Sequence, residues 1–85
     1  MPLLEDMDTF AISLPINTSL DSVIKKLFKY TDFFKIISYD SSTEQGINII
    51  VKIRLNDHKS LVLLEKSMLE DYPGASFNFY SSPSS

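Results

Sequence analysis

The apolar residues of this chain keep switching between two spacings, and the order of those switches limits its fold more than any other feature. Ile47, Ile49, Val51, Ile53 and Leu55 take alternate positions, which puts one side of a β-strand into a core and the other into water. Phe10, Ile12 and Leu14 alternate with Thr9, Ala11 and Ser13 until Pro15 ends the run, and Ala75, Phe77 and Phe79 alternate with Ser76, Asn78 and Tyr80. Between these strands the spacing turns helical. Leu20, Val23, Ile24, Leu27 and Phe28 recur as one face of a helix. Lys25, Lys26 and Lys29 fall outside that stripe, toward water, and Thr18 with Asp21 has the spacing of a capping box.

The second helix is read over "NDHKSLVLLEKSMLEDY", with Asn56 or Asp57 as its N-cap. Leu61, Leu64, Met68 and Tyr72 line its buried face, widened by Val62, Leu63 and Leu69. Pro73 cannot continue the helix, and Gly74 is placed to take the left-handed backbone that a helix end favours. "FFKIISYDSSTEQGINIIVKIRL" reads as a hairpin with a polar loop over Asp40–Gly46. Setting Phe34 and Ile36 opposite Ile53 and Val51 turns four apolar residues inward and leaves Lys35 beside Lys52 on the outer face.

The resulting order is β-α-β-β-α-β. Two strand–helix–strand units with right-handed crossovers predict an α+β, ferredoxin-like sandwich. Its four-stranded antiparallel sheet has the expected order 4-1-3-2, with both helices on one face. The chain divides into a lead-in or linker at 1–8, a single domain at 9–80 and a flexible tail at 81–85.

Composition narrows the chemistry. Eight basic and eleven acidic side chains leave a formal charge of −3 in 85 residues, the wrong sign for a nucleic-acid partner. With no cysteine and one histidine, neither thiolate chemistry nor the usual zinc sites are available. His58 reads as an exposed helix-start histidine. Glu5, Asp6 and Asp8, like Glu70 and Asp71, read as solvated edges. Two glycines are too few for a phosphate loop. No nucleophile, base and orienting group can be named together, so the expectation is a non-enzyme with no cofactor and no metal. No apolar run is long enough to cross a bilayer, and the absence of cysteine fits a cytoplasmic location.

Three features together resemble an ACT-like small regulatory domain over residues 8 to 80: the element order, "LPINTSLDSVIKKL" after the first strand, and Pro73-Gly74 before the last. The chain is also similar to the soluble C-terminal domains of MgtC-type and related multi-pass bacterial membrane proteins. Amino-acid-binding ACT domains carry a glycine in the turn after the first strand, where this chain has Pro15-Ile16-Asn17-Thr18. The resemblance implies a regulatory or protein-interaction domain, either free in the cytosol or joined to a membrane-spanning segment outside this chain. The alternative it implies is a small-metabolite sensor that binds at a dimer interface. A homodimer is expected in both cases. Its contact residues are expected at Ile37, Tyr39, Ile50, Phe79 and Tyr80, on the uncovered sheet face and the free edges.

Overall fold

The computed structural model describes residues 6–55 and 57–82. Six elements follow one another: β1 (Asp8–Leu14), α1 (Leu20–Tyr30), β2 (Phe33–Ser42), β3 (Gly46–Arg54), α2 (His58–Asp71) and β4 (Ser76–Tyr80). The strands form one antiparallel open sheet in the order β2-β3-β1-β4, which is β4-β1-β3-β2 when counted from the other edge. β2 and β4 are the edges.

The core follows from the alternation. Phe10, Ile12 and Leu14 of β1 pair with Val51, Ile49 and Ile47 of β3, and all are buried. Val23 and Leu27 from α1 and Leu64 and Met68 from α2 close over them as one cluster. Side chains of this size stabilise a fold by roughly 1.5–3 kcal/mol each when fully buried. Phe34 faces Ile53 and Ile36 faces Val51, with Lys35 beside Lys52 on the other face, as the hairpin register requires.

Several local expectations are corrected. The β2–β3 loop is Thr43–Gln45, not Asp40–Gly46, because ladder pairing continues through Asp40, Ser41 and Ser42 to Gly46. Polar side chains do not prevent it, since the ladder is made by backbone groups. The Ser42 hydroxyl accepts from the Glu44 and Gln45 N–H groups and holds the loop. No capping box forms on α1. Thr18 Oγ1 instead donates to the Pro15 carbonyl at 2.7 Å, and the N-cap, Ser19, makes no side-chain bond. On α2 the N-cap is Asp57, whose carboxylate accepts from Ser60 N–H; Asn56 lies outside the described residues. Phe28 is 72% exposed, not buried, and its ring meets Phe34 edge-on at 4.9 Å.

The two glycines exchange roles. Gly74 has no positive φ. Tyr72, Pro73, Gly74 and Ala75 form a turn closed by Ala75 N–H donating to the Tyr72 carbonyl, and an i+2 residue without positive φ excludes type II. The left-handed glycine is Gly46, with φ 88°. It opens β3 after a three-residue loop, where such hairpins place a left-handed residue. A Cβ there would sit 2.1 Å from the Leu14 carbonyl oxygen, against backbone that cannot retreat.

The ends of the domain are tied together. Met7 is 3% exposed, and Ser82 N–H donates to Asp8 Oδ1 at 2.8 Å. The expected lead-in and tail therefore reach into the ordered domain at Met7, Asp8 and Ser82; residues 1–5 and 83–85 lie outside the described residues.

Gly46→Ala should destabilise the fold by at least about 2 kcal/mol, through strain and overlap together. Gly74→Ala should change stability by less than about 0.5 kcal/mol, because a Cβ there meets Pro15 at ordinary contact distance. Ile49→Ala and Leu64→Ala, which empty fully buried space, should each cost roughly 2–5 kcal/mol. Thermal and denaturant melts of the four variants check these values.

Candidate functional site

One face of the sheet carries both helices, and the other carries none. The strand register fixes what that second face shows. Three rows cross it from β2 to β4: Ser38–Ile50–Ala11–Asn78, Lys35–Lys52–Thr9–Tyr80 and Asp40–Asn48–Ser13–Ser76. Small side chains occupy the middle, so the surface dips into a shallow depression of about 190 Å³ lined by Ala11, Ser13, Asn48, Ile50, Ser76 and Asn78. Lys52 Nζ donates to Thr9 Oγ1 at 2.7 Å across the strands. Lys35, Lys52 and Arg54 against Asp40 make this face net basic in a chain that is net acidic.

The five expected contact residues divide between the two faces. Ile50, beside Ala11 and Ser38, and Tyr80, beside Thr9, are on the uncovered face and are 37% and 58% exposed. Ile37 is the extra residue of a bulge, where pairing jumps from Ile36–Val51 to Ser38–Ile50. That insertion shifts the register by one residue. Tyr39 therefore pairs with Ile49 and takes the helix side of the sheet, not the open face. Phe79 pairs with Phe10 and packs on the core, with the Phe10 and Phe79 rings edge-on at 6.4 Å. Ile37 lies in the bulge opposite Ile50, whereas Ile50 and Tyr80 stand in adjacent rows with Ala11, Lys52 and Thr9 between them.

A second surface was hidden in the α2 pattern. Leu64 and Met68 are buried, and Leu61 and Tyr72 are partly so. Val62, Leu63 and Leu69, read as a widening of that stripe, are 63%, 51% and 44% exposed. A helix over a flat sheet buries a narrow strip, and these residues lie too far around its axis. With Glu65, Lys66 and Glu70, Val62 and Leu69 line a shallow, open depression along the helix.

The seam between the helices is polar, which the sequence pattern also concealed. Lys26, read as facing water, reaches Asp71 at 2.6 Å and the Ser67 hydroxyl at 2.8 Å, with its side chain only 15% exposed. The Tyr72 hydroxyl donates to Ser22 Oγ. Asp71 is exposed, as read, and is also the ionic partner of α1. A signal was present: Lys26 follows Val23 by three residues and sits at the margin of the apolar stripe, where a long side chain lies along a neighbouring element.

His58 stands exposed at the start of α2, beside an Asp57 whose carboxylate is occupied by Ser60. Among the described residues, no group of three histidine, cysteine, aspartate or glutamate side chains could hold a metal ion. No helix of the described residues is long and apolar enough to cross a membrane. No protein-family model matches the chain, and no curated protein matches it as a relative.

Asp71→Asn should cost about 1 kcal/mol, since it leaves the mostly covered Lys26 ammonium with Ser67 as its remaining partner among the contacts described above. A double-mutant cycle with Lys26→Met, read by denaturant melts, checks whether that loss belongs to the pair.

Proposed function

We propose that this chain is a non-catalytic regulatory or protein-interaction domain of ACT-like, ferredoxin-like build that works as a homodimer. The observation that carries the reading is the one-sided cover of the sheet. Both helices share one cluster with the inward residues of β1 and β3, which leaves a whole sheet face and two strand edges for other chains. The chemistry supports it as well: the polar contacts Lys26–Asp71 and Tyr72–Ser22 join helix to helix and are not turned into a cleft. In this reading the net-basic open face, with Ile50 and Tyr80, is where a regulated partner docks. That partner is either a separate protein or the cytosolic side of a membrane protein of which this domain is a part.

One observation favours the alternative, a sensor of small metabolites at the dimer interface. Asn17 takes φ 69° in the turn after β1, a left-handed backbone in the turn where amino-acid-binding ACT domains carry a glycine. Titration calorimetry with free amino acids tests that version.

Sedimentation equilibrium at tens of micromolar tests the main reading. The expected result is twice the chain mass of 9.7 kDa. A clean monomer would remove the homodimer and leave the open face to an unlike partner.

A further inference from the structure

Resting on the reading of the open face as a docking surface, we infer that this face receives an acidic amphipathic helix from a partner protein, seated along β3 with its carboxylates over Lys35, Lys52 and Arg54.

Charge selects the occupant. Lys35 and Lys52 stand directly opposite each other on β2 and β3, and like charges so placed destabilise a sheet. Arg54 follows Lys52 on the same face, one row further along β3. The ion pairs among the described residues, Lys25–Asp21 and Lys26–Asp71, lie on the helices and use none of these three cations. Lys52 instead turns to the Thr9 hydroxyl, away from Lys35. Four carboxylates lie around this face. Asp40 is two rows from Lys35, about 13 Å along the strand and beyond a screening length of about 8 Å. Asp6 and Asp8 border a depression with Arg54, and Asp32 N–H donates to the Arg54 carbonyl, so these three gather at the Arg54 end. The Asp8 carboxylate accepts from Ser82 N–H. The uncompensated charge is therefore centred on the Lys35–Lys52 pair. Three cations against Asp40 give the open face +2, so the rest of a chain at −3 carries −5. A partner segment with carboxylates removes the repulsion between the two lysines as it binds.

The backbone selects the shape of that segment. Ladder bonds already occupy the strands beneath the face, so an extended peptide laid over it finds no backbone partner. A helix brings its own bonds, and helix on sheet is the layering this domain already uses on its other side. Rows along a strand repeat at about 6.8 Å and helix positions i and i+4 at about 6 Å, so a helix along β3 keeps step over three rows. One carboxylate over Lys35 and Lys52 then places a second over Arg54, four residues on. Four residues back, an aliphatic side chain meets Ile50 and the depression beside Ala11. Three rows across four strands cover about 400 Å², half of what each partner buries in a standard complex, so binding is of micromolar strength. An anionic lipid surface fits less well, because it extends past the lysine pair to Asp40 and Asp32, whereas a helix meets only the rows it covers.

The test is fluorescence titration with a labelled synthetic helix of about 18 residues, carrying Leu, Glu and Glu at i, i+4 and i+8. The expected dissociation constant is on the order of 10–100 µM. Lys35→Glu should weaken binding at least about tenfold. The same substitution should raise the melting temperature of the free domain by about 1–4 °C, because opposite charges then face each other across the strands. Lys29→Glu, an equal charge change on α1, should alter binding less than about twofold. A peptide with Lys in place of both Glu should bind K35E/K52E more tightly than the unmodified chain. No binding at millimolar peptide, or equal losses for Lys35→Glu and Lys29→Glu, would overturn the site. Equal binding of a scrambled peptide of the same composition would overturn the helix. Capture by phosphatidylglycerol vesicles with no binding of the peptide would give the face to a membrane and overturn the proposal too. Sedimentation equilibrium separates this from the homodimer: a monomer that binds the peptide loses the dimer and keeps the site, and a dimer that does not bind it loses the site alone.

Discussion

The fold depends on one strip of contact, the buried side of β1 and β3. Phe10, Ile12 and Leu14 face Val51, Ile49 and Ile47 across the two central strands, and every other element is positioned by resting on that strip or pairing beside it. A domain of 85 residues has little interior to spare, so the strip leaves few positions for compromise. Gly46 shows how tight it is. The first residue of β3 passes so close to the Leu14 carbonyl that only a residue without a side chain fits. The hairpin that brings β3 beside β1 and the end of β1 are thus one constraint, not two.

What could be read in advance followed from how far each signal extends. Strict alternation over β3 set its inward face, and the inward face set the pairing of Phe34 with Ile53 and of Lys35 with Lys52. The β2 bulge was illegible for the same reason. Alternation in a strand is counted from one residue to the next, and nothing in "KIISYD" marks Ile37 as the residue to be skipped. Once it is skipped, Tyr39 changes face, and a site built on Tyr39 changes with it. Phe79 erred differently: its alternation with Tyr80 put it inward, and its place opposite Phe10 keeps it there. Gly74 had the better local context for a left-handed residue, yet the Pro73 turn closes without one, whereas the demand at Gly46 comes from a strand 32 positions earlier in the chain.

The contact between helices has a different character from the contact of helices with sheet. Below, it is aliphatic and tolerant of shape. Between α1 and α2 it is made of Lys26, Ser67, Asp71, Ser22 and Tyr72. Such contacts add modest stability, because partial burial costs solvation that the attraction only partly returns. They do constrain register: an α2 slid by one turn would keep an apolar strip on the sheet but would carry Asp71 away from Lys26. The exposed Asp21–Lys25 pair on α1 has no such role, since both ends lie in water.

This polar seam also explains why α2 leaves aliphatic surface uncovered. The helix is held on one flank by α1 and below by the sheet, and neither contact reaches Val62 and Leu69. Turning the helix to bury them would break the Lys26–Asp71 contact and expose Leu64 or Met68, two residues now without solvent exposure. The domain cannot satisfy both sets by itself. Only a surface from outside can cover the second set without disturbing the first. A single exposed valine or leucine is unremarkable. Two of them on one flank, beside the charged Glu65 and Lys66, are what stays outside once the polar seam has fixed the rotation of α2.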